Sequence, residues 1–400
     1  MRILTCTPVR FKGDHSFFAR DSGLLSVGLT MNGIESRAVM PGPSMPDDDP
    51  RLIRSDYANL SDASWWRSQK ADAVILCSWA MPEYTPIARA IKASGSKLLV
   101  FLDSSGFWSP WSNGLEWFAA QWESCRRKRG PALGLLRYLA SICRSCMPAA
   151  FDSPRLTHMS IADVVTVTSP LVLDRTNRYA MVYGFRKLHK NVARLPLPVS
   201  PHMCYKGERK QKRVICVGRW LPEDWPEKGP QLLLASLNRF LTQNTEYEAL
   251  VIGRGATALR GAPFYPKSLD GLNLRLLNYL HNDELPSLFA TSRISLCSSF
   301  HESYHIASFE AACCGCSIVA LRSPDLPALQ FLAETNGTLA SEETPEAFTE
   351  ALNEEAKMWD RGLRSPDTTA RRWQSETHAD NVAAKVLELL TLQAAPKDTK

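Results

Sequence analysis

Short, nearly unbroken apolar runs alternate with stretches of helical period along the chain. RILTCTP (2–8), ESRAVMP (35–41), AVILCSW (73–79), KLLVFLD (97–103) and DVVTVTS (163–169) read as strands. SGLLSVGLTMNG (22–33) and EYTPIARAIKAS (83–94) between them read as amphipathic helices. A strand that is apolar on both faces must be covered on both faces, so the pattern predicts α/β architecture with parallel sheets. The alternation pauses at NVARLPLPVSPHM and the charged run KGERKQKR (206–213), then restarts with RVICVGR, YEALVIGRG, ISLCSSF and SIVALRS. The pause reads as an interdomain linker. The expected division is a first Rossmann-like domain over 1–195, a linker over 196–212 and a second Rossmann-like domain over 213–369. A single helix at 370–392 is expected to pack back on the first domain, with a polar tail at 393–400.

The 400 residues suit two domains better than one core. At 44% hydrophobic and 22% charged, with no low-complexity tract, the composition is that of a soluble globular protein. No apolar run approaches the roughly 20 residues of a membrane span. The start, MRILTCTPVR, lacks the apolar region and cleavage site of a signal peptide, so the expected location is the cytoplasm. A net charge of +6 suits phosphate-bearing ligands or an anionic surface and is too small to indicate nucleic acid. The 11 cysteines are odd in number and sit in apolar segments, as reduced, mostly buried thiols do. The pairs Cys143/Cys146 and Cys313/Cys316 have no zinc-knuckle context.

In open parallel sheets ligands bind beyond the carboxyl ends of the strands, and three such ends in the second half carry chemistry. The first is ICVGRWLPEDWPEKGPQLLLASL, where Arg219 and Lys228 flank a helix opened by Pro230. Helix dipole, free amides and two cations make a phosphate site there, although a solvated basic loop would look the same. The second is Gly253-Arg254-Gly255, either a tight turn or a loop past a nucleotide base or ribose. The third is HESYHIASFE (301–310), which contains both a five-residue H-E-x-x-H pattern and the pair Glu302/Glu310. Zinc binding by H-E-x-x-H needs both histidines on one helical face. The helix is expected to begin only at His305 or Ile306, and Ala311 stands where a third histidine ligand would be. A zinc peptidase is therefore the weaker reading.

These pieces, in this order, resemble the nucleotide-sugar-binding domain of retaining glycosyltransferases of family 4, which have the GT-B fold. The matching stretches are VGRW…EKGPQLLLASL, ALVIGRG, DELPSLFATSRISLCSS and HESYHIASFEAACCGCSIVAL, covering 212–323. The resemblance implies two Rossmann-like domains with parallel sheets facing across a cleft. It implies transfer of a sugar from a nucleoside-diphosphate donor to a hydroxyl acceptor with retention, in bacterial polysaccharide or glycolipid synthesis. Arg219 and Lys228 would hold the donor diphosphate with the amides of His305 and Ile306. Glu302 would lie against the donor sugar as a catalytic-site residue, and Glu310 would bind the ribose. The family usually has a small residue, often glycine, where this chain has His305.

In the first domain, Gly13, Asp14 and His15 occupy the place of the family's glycine-rich loop, with a polar turn as the alternative. Asp103 stands where the family often has a histidine, to orient or deprotonate the acceptor hydroxyl, or else to cap the next helix. No metal or other cofactor is expected, since the cations take the metal's place and no D-x-D ends a strand; Asp47–Asp49 lie in a proline-rich loop. The expected partners are a nucleotide sugar and a saccharide or lipid-linked acceptor. A non-catalytic nucleotide-sugar-binding protein is the alternative, with an epimerase or phosphorylase also open to the fold. Residues 107–146 combine Trp108, Trp111, Trp117 and Trp122 with Arg126-Arg127-Lys128-Arg129. They are best read as a helix pair with core tryptophans and a solvated basic turn. The alternative is peripheral docking on the inner face of an anionic plasma membrane.

Overall fold

The apolar runs pair as parallel strands in two separate sheets. The structure is a computed structural model and describes residues 1–280 and 284–392. The expected tail at 393–400 lies outside the described residues. Contacts divide the chain into two units. One comprises 1–126, 131–200 and the chain from 376 onward; the other comprises 127–130 and 201–375.

The first unit holds strands β1 (Arg2–Cys6), β2 (Glu35–Pro41), β3 (Leu52–Ser55), β4 (Ala73–Ser78), β5 (Lys97–Leu102), β6 (Val164–Val167) and β7 (Val192–Arg194). Their order in the sheet is β3-β2-β1-β4-β5-β6-β7, all parallel. Leu4, Val74, Val100 and Val165 lie fully buried under the helices on one face. The second unit holds β8 (Gln211–Val217), β9 (Glu248–Ile252), β10 (Leu274–Leu277), β11 (Ser292–Leu296), β12 (Ser317–Leu321) and β13 (Gly337–Ala340). Their order is β10-β9-β8-β11-β12-β13, again parallel. Each order reverses once, between β1 and β4 in the first sheet and between β8 and β11 in the second. At such a reversal the flanking loops part and leave a crevice at the carboxyl ends of the strands.

Three segments differ from the sequence expectation. The periodic stretch at 370–392 is not one helix: Pro366–Thr377 and Ala379–Leu392 are separate, broken at His378. The break is used, because Val199 donates to the Thr377 carbonyl at 2.7 Å and Ala379 donates back to the Val199 carbonyl at 3.0 Å. A hydrophobic period cannot reveal such an interruption, since the apolar stripe resumes on the far side. The charged run is not wholly linker either. β8 begins at Gln211, and the Lys210 ammonium donates to the carbonyls of Phe289 and Cys314 at 3.1 and 2.7 Å. Burial pulls the Lys210 pKa down.

The stretch 116–145 folds back on itself as a helical hairpin, with Gly130 at the kink (φ 74°) and Pro131 opening the second arm. Trp117 on its first arm is buried, whereas Trp111, on the short helix Pro110–Asn113 before it, is 48% exposed, so the tryptophans of 107–146 are core in part only. The eleven cysteines are all free thiols, most of them buried. No helix among the described residues is long and apolar enough to cross a membrane.

The final helix packs on helix Asp21–Met31 through Gly28. A Cβ at Gly28 would lie 2.1 Å from the Ala379 carbonyl oxygen, inside any van der Waals contact. Gly28→Val is expected to force the two helices apart and cost about 1–3 kcal/mol of stability, as overpacking does. The shift of the urea unfolding midpoint at unchanged slope measures it.

Candidate nucleotide-sugar site

Beyond the reversal of the second sheet, the loops after β8 and β11 are bonded to one another. The Ser298 hydroxyl donates to the Lys228 carbonyl at 2.8 Å, and the Phe300 amide donates to the Glu227 carbonyl at 2.7 Å. Gly229 follows with φ 61°, and a Cβ there would sit 2.5 Å from the Ser298 carbonyl oxygen. Both the backbone angle and the close approach require glycine. Pro230 then opens helix Pro230–Gln243.

This stitching brings Lys228 onto Glu302. The Lys228 ammonium is hydrogen-bonded to Glu302 Oε1, which also accepts from the Ser299 hydroxyl at 2.8 Å. The two charged side chains are 15% and 13% exposed. Burial pushes the Glu302 carboxyl up, but His305, Lys228 and the two hydrogen bonds outweigh it and hold the group below its usual range. Arg219 is not part of this cluster. Its guanidinium is 68% exposed and pairs with Asp224 at 3.1 Å.

Helix Ile306–Cys313 begins after Glu302, with His305 as its N-cap residue. The Ile306 amide donates to the Tyr304 carbonyl at 3.1 Å and is therefore engaged within the turn. His305 is buried, with Nδ1 2.8 Å from the Ser308 hydroxyl and a hydrogen bond to the Cys297 thiol. Burial pulls the imidazole down, yet Cys297 and Glu302 overcome it and raise its pKa. The reciprocal effect lowers the Cys297 thiol against its burial. His301 takes a different partner, Asp325, 3.8 Å away. The two histidines of H-E-x-x-H thus face separate partners, and 301–305 precede the helix. Glu310 lies half-buried on that helix, on the same segment as Glu302 but beyond the turn.

The Gly253-Arg254-Gly255 turn is a packing device. A Cβ at Gly253 would lie 1.8 Å from the Gly218 carbonyl oxygen, and one at Gly255 would lie 2.8 Å from that of Trp220. Both residues have positive φ, and the Trp220 amide donates to the Arg254 carbonyl at 2.8 Å. Sequence reasoning missed Ser299, Ser308 and Cys297, which hold the acid and the imidazole. The signal for Cys297 and Ser299 was their place in a small polar run after a strand, and Ser308 stands in the first turn of the helix that follows.

In the first unit, Asp103 follows β5 and lines a small cavity of about 60 Å³ with Thr7, Ser78 and Trp79, at the reversal of that sheet. Beneath it the Ser78 hydroxyl lies 3.1 Å from Nε2 of the fully buried His158. Gly13 and Asp14 line a second cavity of about 350 Å³ with Arg10, Lys12 and Arg54. Asp14 caps the short helix His15–Phe18, accepting from the Ser16 amide at 3.0 Å, and His15 is exposed. A Cβ at Gly13 would collide with Asp48, Leu52 and Arg54.

Together the two reversed parallel sheets define the class: the structure is similar over its whole length to solved GT-B proteins. Sucrose-phosphate synthase from Thermosynechococcus elongatus matches with a TM-score of 0.61 at 16% identity, covering 99% of this chain and 100% of that one. HepE from Anabaena, solved with UDP and glucose, matches with a TM-score of 0.59 at 10% identity, covering 98% and 100%. The lipopolysaccharide outer core galactosyltransferase WaaB matches with a TM-score of 0.60 at 13% identity, again over 98% and 100%. Within the second unit, residues 211–356 match the family model described as Glycosyl transferases group 1. The fold is therefore GT-B, and the matched segment contains Lys228, Glu302, His305 and Glu310. No curated protein matches the chain by sequence.

Two outcomes follow from this geometry. Lys228→Met leaves a largely buried carboxylate without its cation and is expected to cost about 3 kcal/mol in chemical denaturation. His158 is held neutral by burial, its pKa lowered from 6.5 to about 4. Its contribution to stability is complete above the unfolded value and is lost as pH falls from 6.5 toward 4, because the unfolded chain takes the proton first. The expected loss is about 3 kcal/mol. His158→Gln should flatten the pH dependence of the unfolding midpoint across that window.

Proposed function

We propose that the protein transfers a sugar from a nucleoside-diphosphate sugar to a hydroxyl acceptor, with retention of anomeric configuration. The observation that carries the reading is the Lys228–Glu302 pair at the reversal of the second sheet, beside two helix starts. An ammonium has three donors, so Lys228 can keep Glu302 and still meet a phosphate oxygen. Charge develops on the diphosphate as the glycosidic bond breaks, and a fixed cation in a partly desolvated site stabilises it most at that point. His305 stands at the start of the helix after Glu302, where the family usually has a small residue, with its pKa raised by Cys297 and Glu302 against burial. In this proposal Arg219 gives up its exposed pairing with Asp224 to join the diphosphate. Glu302 accepts hydrogen bonds from sugar hydroxyls, and Glu310 takes the ribose hydroxyls, as paired carboxylate acceptors do.

Asp103 is assigned to the acceptor hydroxyl, receiving its proton late in transfer. Gly13, Asp14 and His15 are assigned to the acceptor-side loop, with Asp14 acting chiefly through its helix cap. The cations do the work of a metal, so the reaction is proposed to be metal-independent. A saccharide or lipid-linked acceptor in surface-polysaccharide or glycolipid assembly fits the reading. HepE holds UDP and glucose in its crystal structure, which makes UDP-sugars the first donors to test.

A thermal-shift series with UDP-, GDP- and ADP-sugars should single out one donor by a rise in unfolding temperature. With that donor, Glu302→Gln is expected to lower transfer and donor hydrolysis by about 100-fold or more. Equal turnover by wild type and variant would overturn the assignment of Glu302. Binding without turnover by the wild type would favour a non-catalytic nucleotide-sugar-binding protein. The anomeric coupling of the fresh product reads retention directly.

A further inference from the structure

The hairpin between β5 and β6 has its polarity reversed. On its second arm, the side packed against the first arm is small or polar. A Cβ at Gly134 would lie 2.9 Å from the Cys125 carbonyl oxygen. Ser141 bonds Gln121 at 3.0 Å, and Tyr138 meets Trp122 edge-on at 5.6 Å. The outward side is apolar: Leu133, Leu135, Leu136 and Leu139 are 62%, 47%, 65% and 49% exposed. Ala132, Leu136, Leu139, Ala140 and Cys143 recur at helical spacing along the middle of that face. Soluble helices place their leucines the other way round, and a contiguous apolar face of this kind marks an interaction surface.

Charge says what covers it. Between Glu123 and Asp152 the chain carries Arg126, Arg127, Lys128, Arg129, Arg137 and Arg144 and no carboxylate. Arg126, Arg127 and Lys128 have carboxylate partners. Arg137 and Arg144 flank the leucine face on the same arm, and Arg129 stands at its head. Trp111 is 48% exposed, and its indole donates to the Ser145 carbonyl at the other end of the arm. Leucines toward the acyl chains, arginines at the phosphates and a tryptophan at the boundary are the parts of a helix lying in a bilayer surface. The stretch between Glu123 and Asp152 carries basic residues alone, and an anionic lipid surface is the complement of an apolar face with that charge.

We propose that the outer face of residues 131–145 docks, without spanning, on an anionic phospholipid bilayer. The inference is independent of the transferase reading, since it rests on a different element and its test needs no turnover. The full chain is floated with vesicles of phosphatidylcholine alone and with vesicles containing roughly 30% phosphatidylglycerol, at low and high salt. Binding to the anionic vesicles is expected to be tighter by about tenfold or more and to weaken as salt screens the arginines. Leu136→Glu/Leu139→Glu should abolish it while leaving circular dichroism and unfolding temperature unchanged, because neither side chain is buried. Arg137→Gln/Arg144→Gln should remove most of the preference for anionic lipid and leave residual binding. Equal partition to both vesicle types, or unchanged binding by the leucine pair variant, would overturn the proposal. So would a dimer in sedimentation that the leucine variant dissociates, since a second copy of the chain would then be what covers the face.

Discussion

Gly229 is the point on which the second unit's chemistry turns. Its backbone angle and its contact with the Ser298 carbonyl leave no room for a side chain. The chain after β8 can therefore close against the chain after β11. The preceding residue delivers an ammonium to Glu302, and the following residue opens a helix. The same approach sets the Ser298–Lys228 and Phe300–Glu227 bonds, so the cation, the acid and the helix start are positioned by backbone rather than by side-chain packing. Widening this one contact would uncouple all three.

His305 shows how a histidine is absorbed at the turn before helix Ile306–Cys313. A histidine at that turn must bury an imidazole, which is costly unless its polar atoms are bonded. Ser308 and Cys297 bond it, and Glu302 faces it electrostatically. The histidine is thus built into the floor of the site. Lys228 holds an ammonium against the same acid, and a fixed cation there suits an anionic ligand.

Much of the fold was legible because buried parallel strands need continuous apolar runs, and AVILCSW or SIVAL can satisfy little else. The strands at Leu52–Ser55, Val192–Arg194, Leu274–Leu277 and Gly337–Ala340 escaped notice because they are three or four residues long. Runs that short carry no period. Glu302 and Lys228 were legible as residues, but their pairing was not, since they stand 74 positions apart. Asp14 and Ile306 illustrate the opposite limit. Their polar groups look available in the sequence, yet a helix cap and a tight turn engage them locally, and such bonds are set by backbone angles that the sequence does not spell out. Lys210 stood in a charged run read as linker and is bonded to two carbonyls.

The pairing of Val199 with Thr377 and Ala379 has a consequence for the order in which the molecule is made. The chain leaves the first unit near residue 200 and rejoins it only after residue 375. During synthesis the second unit therefore emerges almost complete while the first still lacks its last helix. The surface of helix Asp21–Met31 around Gly28, shaped for Ala379, stays open to water until the residues past 375 arrive. The unit that holds residues 1–126 thus takes its closing contact from residues made after the second unit.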